Sequence, residues 1–134
     1  MYKRQGSSSS DWTNPDNWSN GVPENGETAI LPNALDGGEN PVYSGSSVID
    51  IIIQNAGELT FNTVIFNNGT IINFGGGTII NEDYFINAGT ITFDNDGTLD
   101  NKGIFDNFGN YEHAASATLN NREGAIFNLS LIHI

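Results

Sequence analysis

Along residues 57–128, apolar and polar side chains follow a pattern that recurs about every twenty residues. Within each repeat, apolar residues and a set of asparagines fall on odd-numbered positions, and the even positions between them vary. Because successive side chains of a β-strand point to opposite faces, this alternation indicates strands whose odd positions face inward. A helix would need an apolar period of 3.6 residues, which this segment lacks.

Each repeat divides into three legs of about six, six and eight residues, with Gly, Asn or Asp at most of the corners. Stacking the repeats aligns apolar columns. They are Leu59/Ile79/Leu99/Leu119 in the first leg, Ile65/Phe85/Phe105 in the second and Ile71/Ile91/Tyr111 in the third. We therefore predict an all-β fold, a parallel β-helix (β-solenoid) that we expect to be right-handed, with three short strands in each coil.

A column of asparagines follows the apolar column of the second leg at Asn67, Asn87 and Asn107. An unpaired buried amide costs about 1–3 kcal/mol. Stacked amides avoid that cost by hydrogen bonding to one another along the stack. We therefore predict a structural role for this column, as for the Leu59/Ile79/Leu99/Leu119 column beside it.

The flanking segments divide the rest of the chain. We interpret residues 6–10 as a Gly/Ser linker, 11–48 as an N-terminal cap with loops, and 49–128 as the solenoid. Trp12 and Trp18 in the turn-rich Asp11–Pro32 segment are expected to form an apolar plug that protects the first strand edges. Val48–Ile53 is the first clear strand.

Two expectations concern the register at the ends of the stack. Counting twenty residues back places Ile51 and Ile53 one coil before Ile71 and Asn73, so the stack is expected to begin there. Near Arg122 and Glu123 the second leg of the last coil is displaced by one residue.

The two termini resemble the translation of a laboratory oligonucleotide. Residues 1–5 and residues 129–134 look like the two strands of one transposon-type sequencing adaptor. We therefore interpret both as adaptor-derived and not biological, and the insert as part of a longer reading frame. The remainder of that longer chain is then an expected partner of this segment.

Composition narrows the function classes. Sixteen acidic residues oppose four basic ones, which disfavours nucleic acid, since its binding needs clustered Lys and Arg. The chain has no Cys, which excludes disulfides and thiolate chemistry. No apolar run approaches the roughly 18 residues of a membrane span, so we expect no membrane insertion by this fragment.

Three polar features were considered as sites. Asp94, Asp96 and Asp100 partly match a calcium-binding loop, but the repeat places Asp100 on a strand and no bidentate Glu follows, so calcium is a weak candidate. His113 falls in the Asn73/Phe93 column and is expected to be structural. Glu82, Lys102 and Arg122 align at one corner and predict a surface pairing of opposite charges. No catalytic or cofactor-binding residues are predicted.

Two outward columns carry chemistry of another kind. Thr78, Thr98 and Thr118 align, but the next column (Ile80, Asp100, Asn120) breaks the regular threonine array that an ice-binding face would need. The second leg carries apolar residues at positions that parity turns outward: Val64, Phe66, Tyr84, Ile86 and Ile104. Such a row marks either a face covered by the protein's own chain or a partner surface.

The repeats resemble a known group of proteins. Asn68-Gly-Thr-Ile-Ile-Asn, Ala88-Gly-Thr-Ile-Thr-Phe and Asp96-Gly-Thr-Leu-Asp-Asn are similar to the repeats of large bacterial adhesins of the filamentous-haemagglutinin and autotransporter-passenger kind. The Trp12–Pro23 stretch is similar to segments that precede such repeats. The resemblance implies export to the bacterial surface or the medium, and a non-catalytic structural or adhesive role towards a host-cell, matrix or carbohydrate surface.

A second hypothesis stays open. The segment could be the N-terminal part of a β-helix carbohydrate-active enzyme whose catalytic coils lie beyond it.

Overall fold

The computed structural model describes residues 2–4, 10–24, 26–32, 40–44, 47–73, 76–94 and 96–129, with the side chains of residues 2 and 3 excepted. These residues wind into a parallel β-solenoid of about four turns, with about 20 residues and three strands in each coil. The fold class predicted from the repeat is therefore confirmed. The expected linker at residues 6–10 lies outside the described residues, except for Ser10.

Short strands follow one another along the described chain. In order, they are β1 (Tyr2–Lys3), β2 (Thr28–Leu31), β3 (Val48–Ile49), β4 (Ile52–Asn55), β5 (Glu58–Phe61), β6 (Ile65–Asn67), β7 (Thr70–Asn73), β8 (Thr78–Asn81), β9 (Tyr84–Asn87), β10 (Thr90–Phe93), β11 (Thr98–Asn101), β12 (Ile104–Asn107), β13 (Asn110–His113), β14 (Thr118–Asn121) and β15 (Ile126–Leu129). One 3-10 turn covers Pro15–Asn17.

The strands form three parallel sheets, one for each leg of the coil. The six-stranded sheet has the order β1-β2-β4-β7-β10-β13, the four-stranded sheet β5-β8-β11-β14, and the five-stranded sheet β3-β6-β9-β12-β15. In the middle coils the register is the expected twenty residues, as in Ile79 beside Leu99 and Phe85 beside Phe105. Odd positions face the core throughout these coils, where Leu59, Ile79 and Leu99 are buried.

The register differs from the expected one at both ends of the stack. Ile53 pairs with Ile71, 18 residues on, and Asn55 pairs with Asn73. The predicted pairing of Ile51 with Ile71 was therefore wrong by two residues. At the other end Phe127 pairs with Phe105, 22 residues earlier, so the predicted one-residue displacement near Glu123 was also wrong. Both shifts are even, because an odd shift would turn the inward side chains of the leg to the outside.

The stack also reaches further towards the N-terminus than the repeat indicated. Val48–Ile53, predicted as one strand, is divided into β3 and β4, which belong to different sheets. Strand β2 lies within the segment predicted as cap, and it pairs in register with β4. Strand β1 pairs with β2 in turn, so residues assigned to the adaptor extend the six-stranded sheet. Their origin remains a sequence-based prediction.

A line of aromatic rings runs through the core along the stack. Trp12 lies 4.8 Å from both Trp18 and Tyr43, measured between ring centroids. The line then continues through Phe61, Phe85, Phe105 and Phe127 at spacings of 5.0–5.5 Å. Such pairs add about 0.5–1.5 kcal/mol each beyond the apolar area that they bury. The column alignment missed this line, because Phe61 belongs to the first leg and Phe85 to the second.

Candidate functional site

The asparagine column of the second leg is buried and hydrogen-bonded along the stack. Asn67 donates from Nδ2 to Oδ1 of Asn87 at 2.8 Å, and Asn87 donates to Oδ1 of Asn107 at 2.7 Å. Asn67 and Asn87 also donate to backbone carbonyls of the next coil, those of Thr90 and Asn110. These bonds join the corner of each coil to the coil above it, and they occupy the amide groups.

Two further amide ladders lie at the other corners. Asn81 donates to Asn101, and Asn101 donates to Asn121, each at 2.8 Å. Asn55 donates to Asn73 at 2.6 Å. Oδ1 of Asn81 has no hydrogen-bond partner among the described residues, because Phe61 occupies the position beneath it and has no donor to offer. Each of the three corners of the coil thus carries a buried ladder of asparagines.

Glycines next to these corners let successive coils come close together. A Cβ on Gly89 would collide with the carbonyl oxygen of Gly69, and one on Gly109 would collide with that of Gly89. Gly69, Gly89 and Gly109 follow Asn67, Asn87 and Asn107 by two residues. The Gly-Thr pairs of the repeat, which carried the family resemblance, thus have a steric role here.

The only ion pair of the described residues differs from the predicted one. Arg122 binds both carboxylate oxygens of Asp100, Nε at 2.6 Å and Nη2 at 2.9 Å. The predicted charge column of Glu82, Lys102 and Arg122 placed two positive charges next to each other, so Arg122 instead reaches diagonally to Asp100. The hydrogen bond from Arg122 lowers the pKa of the Asp100 carboxyl.

The weak calcium candidate is not assembled into a metal-binding cluster. Asp94 and Asp96 are exposed at a corner, whereas Asp100 lies on β11 and is bound by Arg122. Among the described residues no group of three or more His, Asp or Glu side chains is arranged to hold a metal ion.

His113 lies at the inner side of β13, near the last coil. Its Nδ1 is 3.1 Å from the hydroxyl of Tyr111, and its Nε2 is 3.0 Å from the carbonyl oxygen of Ala117. The ring is nearly parallel to that of Tyr111. Both ring nitrogens therefore contact neighbours within the same coil. The Thr78, Thr98 and Thr118 column is in register as expected, on the outer side of the four-stranded sheet.

The outer side of the five-stranded sheet is the apolar surface that the sequence indicated. Val64 is 53% exposed and Phe66 40% exposed, while Tyr84, Ile86 and Ile104 are half-buried. Val48 and Ile126 extend this surface to its two ends, and Phe108 lies exposed at the adjoining corner. We call this set of residues the lateral apolar face.

A polar pair borders the lateral apolar face. The hydroxyl of Tyr84 donates to Oδ2 of Asp106 at 2.5 Å, and Asn128 donates to Oδ1 of the same carboxylate at 2.6 Å. The bond to Asp106 raises the pKa of the Tyr84 hydroxyl. The sequence did not indicate this pair, which links residues 22 positions apart as Asp100 and Arg122 are linked. A diagonal step to the next coil accounts for both.

The N-terminal end is closed by a compact cluster. Nε1 of Trp18 donates to the carbonyl oxygen of Trp12 at 2.8 Å, and both indoles are buried. The guanidinium of Arg4 lies over the Trp18 ring at 5.8 Å and is fully buried. Asp11 accepts hydrogen bonds from Ser44 and Thr13, which lower the pKa of its carboxyl. The plug expected of the two tryptophans therefore forms, with a buried Arg that the sequence did not indicate.

No protein-family model, curated protein or solved structure matched this chain in the three comparisons. The fold and its surfaces therefore define the class of the protein, a parallel β-solenoid with asparagine ladders at its corners. In the described part of the chain, no helix is long and apolar enough to cross a membrane.

Proposed function

We propose that this chain is a non-catalytic structural and adhesive β-solenoid segment of a secreted or cell-surface bacterial protein. The observation that carries the adhesive role is the lateral apolar face. Sheet surfaces in contact with water are ordinarily polar, and a contiguous set of exposed apolar side chains is typical of interaction sites.

The construction of the solenoid supports a surface that binds rather than reacts. The buried asparagines bind one another and the backbone of the next coil. Asp100 is bound by Arg122, and Asp106 accepts from Tyr84 and Asn128. The polar groups best placed for chemistry therefore already have structural partners, whereas Val64 and Phe66 remain available to a ligand.

The lateral apolar face suits an extended partner. Its residues recur on successive strands about 4.8 Å apart, so they form a straight strip along the axis of the stack. An extended polymer, such as a glycan chain or a matrix protein, can contact several coils at once. The partner is therefore proposed to be a host-cell, matrix or carbohydrate surface, and the location outside the cell rests on the likeness of the repeats to exported adhesins.

Binding and cleavage assays on the purified chain test this proposal. The chain would be applied to a glycan array and to surfaces coated with collagen or fibronectin, together with the variant Val64→Glu/Phe66→Glu. The matched control is Thr70→Glu/Thr90→Glu on the outer side of the six-stranded sheet. We expect retention on at least one of these surfaces, and a loss of at least fivefold with the lateral variant alone.

Two results would contradict the proposal. One is retention that the lateral variant and the control variant reduce equally, since the lateral apolar face would then have no special role. The other is release of reducing sugar ends from a polysaccharide by the purified chain, which would favour the carbohydrate-active enzyme.

A further inference from the structure

The two ends of the solenoid are finished differently. At the N-terminal end Trp12 and Trp18 close the core and are 1% and 4% exposed. At the C-terminal end Leu119 is 39% exposed, although Leu59, Ile79 and Leu99 of the same inward column are at most 1% exposed. Phe127 and Leu129 are also only partly buried. Core side chains of the last coil therefore meet water.

The same end leaves the edges of all three sheets open within the described chain. Strands β13, β14 and β15 are the last strands of the six-, four- and five-stranded sheets. In a parallel sheet a strand directs half of its backbone groups to each neighbour, so these three strands offer unpaired N–H and C=O groups. The amide ladder that runs through Asn81 and Asn101 also ends there, at the exposed Asn121.

We propose that the C-terminal end of the stack is an interface at which a second copy of this chain binds, tail to tail. The last coil, residues 110–129, offers about the 20–30 residues per partner of a specific interface. It contains Glu112, Glu123 and Arg122 as its only charged residues, a net charge of −1, against −12 for the whole chain. Repulsion between two copies is therefore weakest at this end.

A two-fold arrangement follows from the geometry of the coils. A two-fold axis perpendicular to the stack reverses the strand direction, so the edge strands of the two copies meet antiparallel. Such pairing is at least as stable as parallel pairing. It covers Leu119 and Phe127 with their counterparts in the partner. The capped N-terminal ends point away from the interface, so the assembly closes at two copies and forms no filament.

Sedimentation velocity of the intact chain over a concentration series tests the interface. We expect a monomer that converts to a dimer with increasing concentration. Leu119→Lys should raise the dimer dissociation constant at least tenfold, because it introduces a charge into the covered apolar column. Val64→Lys is the matched control on the lateral apolar face, and it should leave the dissociation constant within twofold of the parent. Thermal melts monitored by circular dichroism establish that each variant is folded.

A second variant covers the case in which Leu119→Lys fails to fold. Asn121→Lys alters the exposed end of an amide ladder and should weaken the dimer in the same way. The inference is overturned by a chain that stays monomeric throughout the series, or by polymers that grow beyond two copies. It is also overturned by a dimer that Val64→Lys dissociates and Leu119→Lys does not. This result is independent of the proposed function, which depends on ligand binding by the lateral apolar face.

Discussion

Asn67 and Asn87 are joined by a hydrogen bond of 2.8 Å between their side-chain amides, across two successive coils. Asn87 donates in turn to Asn107 at 2.7 Å and to the carbonyl oxygen of Asn110 at 2.9 Å. The middle residue of the ladder is thus a donor and an acceptor at once. Its removal leaves buried polar groups without partners on both sides.

The variant Asn87→Ala tests this ladder. An unsatisfied buried polar group costs about 1–3 kcal/mol, and the variant leaves at least two of them. We expect a loss of about 3 kcal/mol in the free energy of unfolding, measured by urea denaturation. Asn68→Ala, at the exposed neighbouring position of the preceding coil, is the control and should change it by less than about 0.5 kcal/mol. Equal losses for the two variants would contradict a structural ladder.

The close approach of coils at Gly89 gives a second prediction. A methyl group there meets the backbone of Gly69, which cannot move without shifting the coil beneath. We expect Gly89→Ala to lower the melting temperature more than Gly76→Ala. Gly76 has a φ of 79°, which strains an Ala, but a Cβ there would meet nothing within 4 Å. A smaller effect at Gly89 than at Gly76 would contradict the tight contact between coils.

The sequence predicted the coil, its three legs and its inward parity, because these follow from the alternation of side chains within a strand. It did not predict how many residues each corner contains. Counting by twenty put Ile53 in register with Asn73, whereas the structure places Asn55 there. The structure shortens that coil by two residues and still supplies an Asn to the ladder, which a fixed period cannot reveal.

The partner of Arg122 was missed for a related reason. The sequence alignment compares residues straight above one another, but a long side chain can also reach a diagonal neighbour in the coil beneath. Arg122 lies above Lys102, which repels it, and so it binds Asp100. The buried Arg4 could not be predicted either, since the repeat carries no information about the N-terminal cap.

Paired deletions in the last coil test the rule that only even shifts are allowed. Gly124 has a φ of 81° in the turn that holds the two additional residues before β15. Deleting Glu123 and Gly124 together restores a spacing of twenty and should preserve the protection of β15 amides from hydrogen exchange. Deleting Glu123 alone would turn Phe127 outward, and we expect it to abolish that protection. Protection that survives the single deletion would contradict the rule.

The pair of Arg122 and Asp100 predicts a dependence of stability on pH. The hydrogen bond from Arg122 lowers the pKa of Asp100 in the folded chain, so the pair stabilises the fold above the unfolded-state pKa of about 3.9. That contribution is lost as the pH falls through the lower folded-state pKa. Because Arg122 is largely exposed, the effect should be small and weakened by salt.

The measurement compares the stability of Arg122→Gln with that of the parent between pH 7 and pH 2. We expect the variant to be less stable at pH 7, and the difference to disappear as the pH falls below about 4. Lys102→Gln, which removes a charge that acts on Asp100 only at longer range, is the control and should show a smaller difference. A constant difference for Arg122→Gln at every pH would contradict the pairing.

The most direct test of the stacked solenoid is the set of NOEs between backbone protons of neighbouring strands in the isotopically labelled chain. The structure predicts parallel contacts at three spacings: 20 residues between Phe85 and Phe105, 18 between Ile53 and Ile71, and 22 between Phe105 and Phe127. Antiparallel contacts between consecutive strands, or the same spacing at all three places, would contradict it.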